Sequence, residues 1–242
     1  MIILQNVNRI YGKGENAVHA LKDVNLVIED GKFTAITGKS GSGKSTLMNI
    51  IGALDTPTSG KVYNGDIDLS DLSNDQLADY RNKTTGFIFQ SFYLEPSYTV
   101  LENVAMPLTI AGMKRKDREE KAKEIIAKLG LEDKTYKKAC ELSGGQKQRV
   151  SIARALVHDP ELVLADEPTG NLDSQNGAEV MALLKEIVKM GKSVVLVTHN
   201  MEDAKNADNL ITIKDGVISA DYMEKYQDIE SLLPKKETEQ GQ

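Results

Sequence analysis

A glycine-rich string between a predicted strand and a predicted helix constrains this sequence most. Residues 38–45 match the phosphate-loop pattern G-x-x-x-x-G-K-[ST]. The β-branched run Phe33–Thr37 precedes the string, and a helical pattern begins at Lys44. Because glycines let successive backbone N–H groups approach a phosphate chain, this order of elements predicts a site for a nucleoside triphosphate.

Length and composition narrow the class of protein. The chain has 242 residues, of which 40% are hydrophobic and 27% charged, and its net charge is -6. These values are typical of a globular chain, and the acidic balance argues against a nucleic-acid partner. No apolar run reaches the roughly 18 residues that a membrane span needs, and residues 1–6 lack the features of a signal peptide. With its single cysteine, Cys140, the chain is expected to be cytosolic.

Changes in the predicted secondary structure divide the chain into parts. Residues 1–89 read as short strands around the phosphate loop, whereas residues 90–159 read as helices without a central strand. Residues 160–222 return to buried strands that alternate with helices, which is typical of a mainly parallel sheet. We therefore expect a nucleotide-binding core of residues 1–89 and 160–222, a helical subdomain of residues 90–159, and a frayed polar tail of residues 223–242.

Two Asp-Gly pairs predict hairpin turns. Asp30-Gly31 separates the strand Val24–Ile28 from the strand Phe33–Thr37. Asp215-Gly216 interrupts a second strand-like pattern within residues 210–219. Since Asp-Gly is a common two-residue hairpin connection, we expect each pair of flanking strands to be antiparallel neighbours.

The chemistry of the phosphate loop follows from its residue types. The ammonium of Lys44 is expected beside the β- and γ-phosphates of ATP, and the hydroxyl of Ser45 is expected to bind Mg²⁺. The positive N-terminal end of the following helix adds to the attraction for phosphate. The predicted nucleotide contacts of this segment are Gly38, Lys39, Ser40, Gly41, Ser42, Gly43, Lys44, Ser45 and Thr46.

Two acids end the apolar run Leu162–Ala165. Open α/β sheets bind ligands at the carboxyl ends of their strands, where Asp166 and Glu167 would lie. Asp166 is expected to hold Mg²⁺, and Glu167 to orient and deprotonate the attacking water as a general base. Alone, the pair would read as the start of a loop before Pro168, but the strand and the phosphate loop upstream favour the catalytic interpretation.

Three single residues are candidate site residues, but each also has an ordinary structural interpretation. His199 follows the apolar strand 194–198 and could reach the γ-phosphate, but a lone histidine there is more often packed or solvated. Gln90 could bind Mg²⁺ through its amide oxygen, or be a plain loop residue. Tyr11 could stack on adenine, or be a half-buried strand tyrosine. The residues by themselves leave these choices open.

A second glycine string suggests a second chain. Ser143, Gly144, Gly145 and Gln146 precede a helical run, with Ser143 as a suitable N-cap. Exposed N–H groups at a helix start make a second anion site, which one nucleotide does not need from one chain. Two chains arranged head to tail would place each nucleotide between one phosphate loop and the other chain's string. A simple capped helix is the alternative, but it leaves the glycine pair unexplained.

Together these strings resemble the ATP-binding subunit of an ABC transporter over residues 1 to about 222. Residues 38–45 are similar to its Walker A loop, Leu142–Gln146 to its signature, and Leu162–Glu167 to its Walker B strand with the catalytic glutamate. The resemblance assigns four further motifs: the D-loop at Asn171–Asp173 with the nucleotide contact Asp173, the Q-loop at Gln90, the switch histidine at His199 and the adenine-stacking aromatic at Tyr11.

The resemblance implies an α/β fold: a phosphate-loop NTPase (RecA-like) core with an N-terminal antiparallel β subdomain and a helical insertion. It also implies that ATP and Mg²⁺ bind and that a homodimer forms with ATP. The dimer would drive a separate transmembrane permease at the inner face of the membrane, with room for an extracytoplasmic adaptor. Ala165–Asp173 and Thr99–Val104 look most like the branch for macrolide export, lipoprotein release and antimicrobial-peptide detoxification.

Other functions remain as alternatives. An importer ATPase is the nearest, and only the family analogy of Gly170-Asn171 weighs against it. Soluble ABC ATPases of DNA repair would need long coiled coils, and no sustained heptads occur here. Translation-type members usually carry two ATPase halves, whereas this chain has one. A kinase or GTPase with a phosphate loop would lack the string Leu142–Gln146.

Overall fold

A computed structural model describes residues 1–219, 222, 226 and 229–234 of the chain. Its strands are β1 Ile2–Tyr11, β2 Val18–Ile28, β3 Phe33–Thr37, β4 Ser59–Asn64, β5 Ile67–Asp68, β6 Thr85–Phe89, β7 Leu162–Asp166, β8 Ser193–Thr198, β9 Asn209–Lys214 and β10 Val217–Ile218. Its helices are α1 Lys44–Ile51, α2 Asn74–Thr84, α3 Val100–Ile110, α4 Arg115–Lys128, α5 Gly144–Leu156, α6 Ser174–Lys189 and α7 Met201–Ala204.

Among the described residues, the strands form two sheets. One is antiparallel with the order β2-β1-β4-β5, and the other has the order β10-β9-β3-β8-β7-β6. In the second sheet β9, β3, β8, β7 and β6 run parallel to their neighbours. This arrangement confirms the predicted α/β class with an N-terminal antiparallel subdomain.

The register of the parallel sheet decides where the site lies. Thr37, the last residue of β3, is opposite Thr198, the last residue of β8. Asp166, the last residue of β7, is opposite Val197 in β8. The segments that follow these three strands therefore emerge side by side at one edge of the sheet, where parallel sheets place their ligands.

The first predicted hairpin is wrong, and the second is confirmed. Asp30 and Gly31 do form a turn, but β2 pairs with β1 whereas β3 pairs with β8 and β9. The turn therefore passes from one sheet to the other, and the chain uses the same residues that a hairpin would. Asp215 and Gly216 do connect antiparallel neighbours, since β9 pairs with β10.

Four apolar clusters occur among the described residues, and three of them hold the two sheets and the helices together. The first joins the antiparallel sheet, α1 and one face of the parallel sheet, so the helix that follows the phosphate loop lies between two sheets. The second covers the other face of the parallel sheet with α5 and α6. The third is formed by α3, α4 and α5 within the helical residues 90–159. The site edge is thus supported from both faces of the sheet.

The segment of residues 90–159 is helical, as the sequence predicted, and contains α3, α4 and α5. Ala122 and Ile126 of α4 are buried, and Gly130, with φ of 68°, follows the end of that helix. The division of the chain at residues 90 and 159 into core and subdomain stays a prediction. No helix in the described ranges is long and apolar enough to cross a bilayer.

The polar tail of residues 223–242 stays a prediction. Just before it, the buried Tyr222 donates its hydroxyl to the backbone carbonyl of Val27. Ile229 is buried against Ile3 and Tyr63 on the antiparallel sheet. The sequence there looks polar because only a few apolar side chains, widely spaced, cover the sheet face. Residues 235–242 of the predicted tail lie outside the described residues.

Burial of one histidine predicts a pH dependence of stability. Burial lowers the pKa of His158, and the nearby charge of Asp159 opposes this only in part. The unfolded chain takes up this proton near the ordinary pKa of about 6.5, so it binds more protons than the folded chain below that pH. We expect the melting temperature to fall between pH 7 and pH 5, and the fall to be smaller in His158→Leu. Thermal melts of both chains between pH 7 and pH 5 measure this fall in melting temperature.

The exposed His19 supplies the control for this prediction. The variant His19→Asn should keep the full pH-dependent fall of the parent chain, because the buried His158 is still present. Equal pH profiles for His158→Leu and the parent would contradict the assignment to His158.

Candidate functional site

Residues from several distant segments of the chain line one cleft at the carboxyl edge of the parallel sheet. The cleft has a volume of about 860 Å³. It collects nine of the nineteen site residues that were predicted from the sequence. These are Tyr11, Ser40, Gly41, Gly43, Lys44, Ser45, Thr46, Glu167 and His199.

The phosphate loop fits its surroundings only because of its glycines. A Cβ on Gly43, whose φ is 105°, would lie 2.5 Å from the carbonyl oxygen of Ala20. A Cβ on Gly38 would lie 2.3 Å from the carbonyl oxygen of Ile213. Both distances are too short for a real contact, so any side chain at either position would push the loop away from β2 or β9. The loop is thereby held in a shape whose N–H groups can face a phosphate chain.

The ammonium group of Lys44 is largely buried, and its hydrogen-bond partners are neutral. Its side chain is 8% exposed, and its ammonium donates to the carbonyl oxygens of Gly38 and Lys39 at 2.9 Å each. It forms no ion pair with any carboxylate among the described residues. A buried ammonium that has only carbonyl partners suits the approach of an anionic ligand such as a phosphate chain.

Ser45 and Asp166 place two oxygen atoms together at the cleft. The hydroxyl of Ser45 lies 3.5 Å from Oδ2 of Asp166. Burial, and then the charge of Glu167, raise the pKa of Asp166. A half-buried carboxylate with an acidic neighbour is stabilised by a cation, and carboxylate and hydroxyl oxygens suit Mg²⁺. These residues therefore fit the predicted metal.

The backbone holds Glu167 in an unusual conformation. Its φ is 46°, in the left-handed region that few non-glycine residues adopt. Its N–H donates to Val197 at 2.9 Å and its carbonyl accepts from Gly170 at 3.0 Å. Its Oε1 lies 2.9 Å from Nδ1 of His199. The strained backbone at the end of β7 thus turns this carboxylate towards the histidine that follows β8.

The second glycine string, residues 143–146, does not line the cleft. Ser143 caps α5, and its hydroxyl accepts from the N–H of Gln146 at 3.4 Å. A Cβ on Gly145 would lie 2.0 Å from Oδ1 of Asn176, so the string is in close contact with the start of α6. Asp173 caps α6, and hydrogen bonds from Asn176 lower the pKa of Asp173. The string and Asp173 therefore share Asn176 as a neighbour.

Gln90 lies next to the segment that precedes Asp173. Its backbone carbonyl accepts from Nδ2 of Asn171 at 2.9 Å, and its side-chain amide lies 3.5 Å from Oδ1 of the same residue. The structure does not place every predicted residue at the cleft. Those that do not line it are Gly38, Lys39, Ser42, Gln90, Ser143, Gly144, Gly145, Gln146, Asp166 and Asp173.

Sequence reasoning missed part of the cleft wall. Val18 is opposite Tyr11 in the β1–β2 pairing, and the N–H of Gly216 donates to the carbonyl of Ser42 at 2.9 Å. Strand pairing and this hydrogen bond between distant segments bring such residues to the loop, and no nucleotide-binding motif marks them. The residues missed are Val18, His19, Ala20, Lys22, Asp215 and Gly216.

Comparisons with known proteins agree with this geometry. The family model described as "ABC transporter" matches residues 21–170. A macrolide export ATP-binding/permease protein, MacB, of Aggregatibacter actinomycetemcomitans is 52% identical over 91% of this chain, which spans 34% of that relative's length. The uncharacterized ABC transporter ATP-binding protein YvrO of Bacillus subtilis is 46% identical over 91% of this chain and 96% of its own length.

Solved structures of ABC transporter cassettes also match this chain. A dimeric structure of MJ0796, a bacterial ABC transporter cassette, has a TM-score of 0.83 and 46% identity over 90% of this chain and 97% of that chain. A second dimeric structure of MJ0796, in a post-hydrolysis state bound to ADP and Pi, matches equally well. The chain therefore belongs to the ABC transporter family, as a cassette that binds and hydrolyses ATP.

Proposed function

We propose that this cassette hydrolyses ATP between two copies of itself and so drives a membrane permease of the export type. One observation carries the proposal. The cleft is lined by the phosphate loop, Glu167 and His199, but not by residues 143–146. An anion site at the start of α5 therefore has no nucleotide to bind within its own chain.

The residues at the cleft fit ATP and Mg²⁺. Lys44 and the backbone N–H groups of residues 40–45 would hold the phosphates, and Tyr11 would hold the adenine. Ser45 and Asp166 would hold Mg²⁺, and Gln90, which contacts Asn171 in the single chain, would join them as the third predicted ligand. When bound, the metal ion neutralises phosphate charge and orients the transferred group.

The chain's own residues supply the acid–base chemistry. The Glu167 carboxylate would accept a proton from the attacking water and orient it, since its backbone position is fixed by Val197 and Gly170. His199 lies within hydrogen-bond distance of that carboxylate, at 2.9 Å. His199 would contact the γ-phosphate and keep the Glu167 carboxylate oriented towards the attacking water. Once the phosphate has left, neither side chain would be held in this orientation.

A second copy would complete each site. Ser143 and Gly144 are exposed at the start of α5, a helix of 13 residues whose first N–H groups have no intrahelical partners. These groups and the partial positive charge of the helix end suit a γ-phosphate bound to the other chain. The dimeric structures of MJ0796, one of them with ADP and Pi, support a homodimer, for which we propose the head-to-tail arrangement. Asp173, which shares the neighbour Asn176 with the string, would lie at the same interface.

The partner and place of action are proposed by analogy. The MacB relatives are ATP-binding/permease proteins, and this chain matches about a third of their length. We infer that a permease docks near residues 90–104, at the cytoplasmic face of the membrane, and that an extracytoplasmic adaptor can complete the assembly. The net charge of -6 agrees with the absence of a nucleic-acid partner. Capture of an integral membrane protein by the tagged cassette would test the permease.

The shared site predicts a dimerisation defect. Ser143→Arg should leave ATP binding largely intact but prevent the ATP-dependent dimer, because a bulky cation would occupy the place of the partner's γ-phosphate. Light scattering with a slowly hydrolysed ATP analogue should show a dimer for the parent chain and a monomer for the variant.

A matched variant separates this effect from loss of the helix cap. Ser143→Ala also removes the cap, at a cost of about 0.5–2 kcal/mol of stability, but adds no bulk. It should still form dimers at saturating analogue. A normal dimer for Ser143→Arg would refute the shared site.

A further inference from the structure

We propose that Asp55 and Arg9 position the ring of Tyr11 for stacking on the nucleotide base. This inference rests on the function proposed above. The three residues, named here the Asp55 cluster, come from two places. Arg9 and Tyr11 end β1, whereas Asp55 lies in the loop after α1. Arg9 and Asp55 do not line the cleft, so they act on the base only through Tyr11.

Four hydrogen bonds hold the carboxylate of Asp55. Its Oδ2 accepts from the hydroxyl of Tyr11 at 2.7 Å and from Nε of Arg9 at 2.9 Å. Its Oδ1 pairs with Nη2 of Arg9 at 2.7 Å and accepts from the N–H of Thr56 at 2.8 Å. The pairing with Arg9 is bidentate, the geometry in which arginine and carboxylate fix each other's orientation best. The side chains of Arg9 and Asp55 are 22% and 21% exposed, so water competes only in part.

The guanidinium also determines which side of the tyrosine ring is open. It lies 4.6 Å from the ring centroid of Tyr11, a distance typical of a cation–π contact. Arg9 therefore covers one face of the ring. Tyr11 lines the cleft and is 38% exposed, so a base can stack only on the face that Arg9 leaves open.

The cluster connects the base end of the cleft with its phosphate end. The N–H groups of Leu54 and Asp55 donate to the carbonyl of Asn49 in α1, at 2.8 and 3.2 Å. The same helix begins at Lys44 in the phosphate loop. The hydroxyl of Tyr11 is thus attached, through Asp55, to the element that holds the phosphates. A ring fixed before binding loses less side-chain freedom when it stacks, and this raises affinity for the base.

The test compares two ligands on the full-length chain. Asp55→Asn should weaken ATP binding about 3- to 10-fold, because the ring must then be ordered on binding. Its affinity for inorganic tripolyphosphate, which has no base, should not change. Calorimetric titrations of both ligands with Mg²⁺ measure this. Asp159→Asn is the matched control, since Asp159 also forms an ion pair, with Lys192 at 2.7 Å, and is 87% exposed. It should change neither affinity.

A second variant tests whether Asp55 acts through Tyr11. In a chain that already carries Tyr11→Ala, Asp55→Asn should cause no further loss of ATP affinity. Should Asp55→Asn not fold, Tyr11→Phe takes its place, because it keeps the ring and removes only the hydroxyl that Asp55 holds. Tyr11→Phe should also weaken ATP binding, by a smaller factor than Asp55→Asn.

The outcomes separate the inference from the function on which it rests. A parent chain that binds neither ATP nor tripolyphosphate would refute the proposed function. A parent that binds both, with Asp55→Asn weakening both equally or neither, would refute the Asp55 cluster alone. A further loss in the Tyr11→Ala chain would also refute it.

Discussion

Glu167→Gln should bind ATP, form a long-lived dimer and hydrolyse ATP about 10²- to 10⁴-fold more slowly than the parent chain. Glutamine keeps the size of the side chain but cannot accept a proton from water. The variant also removes a negative charge near the γ-phosphate, which favours the closed dimer. The backbone bonds to Val197 and Gly170 do not involve the side chain, so the loop should keep its shape. Phosphate release and size-exclusion chromatography with ATP measure the two effects.

Glu161 offers a control for this variant. It is exposed and directly precedes β7, the strand that ends in Asp166. Glu161→Gln removes the same charge far from the cleft and should leave hydrolysis unchanged. A monomer in ATP, or a near-normal rate for Glu167→Gln, would mean that Glu167 is not the base.

Lys44→Ala should lower the affinity for ATP by about 100-fold or more. The ammonium would donate charge-assisted hydrogen bonds to the phosphates, and each such bond contributes about 1.5–3 kcal/mol. The change also removes the donor that now holds the carbonyl oxygens of Gly38 and Lys39. The loop therefore loses both its ligand contact and an internal support. Titration with Mg²⁺-ATP measures the affinity.

Lys32 allows a matched comparison. It is exposed and precedes β3, at the end opposite the phosphate loop. Lys32→Ala removes one positive charge without touching the cleft, and its affinity for ATP should equal that of the parent. Retained micromolar affinity in Lys44→Ala would place the phosphates elsewhere.

Local patterns predicted the elements that carry their own signals. The phosphate loop, the helix after it and the strand Leu162–Asp166 lie where sequence alone placed them, because glycine spacing and buried apolar runs are local properties. Asp30-Gly31 shows where local reasoning fails. A turn fixes a change of direction, but the sheet that the next strand joins depends on distant partners such as β8.

The site was predicted less completely than the fold. Residues in motifs were found, since their chemistry requires particular residue types at fixed spacing. Val18 and Gly216 were not, because they reach the cleft through strand pairing and through one backbone hydrogen bond to Ser42. Asp55 and Arg9 were missed for a related reason: an acid in a loop and an arginine in a strand are common, and only their meeting at Tyr11 distinguishes them.

The contact between Gly216 and the phosphate loop also bears on how the protein is made. The hydrogen bond to Ser42 and the packing of Ile213 against Gly38 come from residues that the ribosome adds long after the loop. At about 5–20 residues per second, the loop would wait on the order of ten seconds or more for its far wall. During synthesis it therefore cannot hold nucleotide as the finished chain does. Cellular ATP can stabilise the completed protein but cannot guide the folding of its first half.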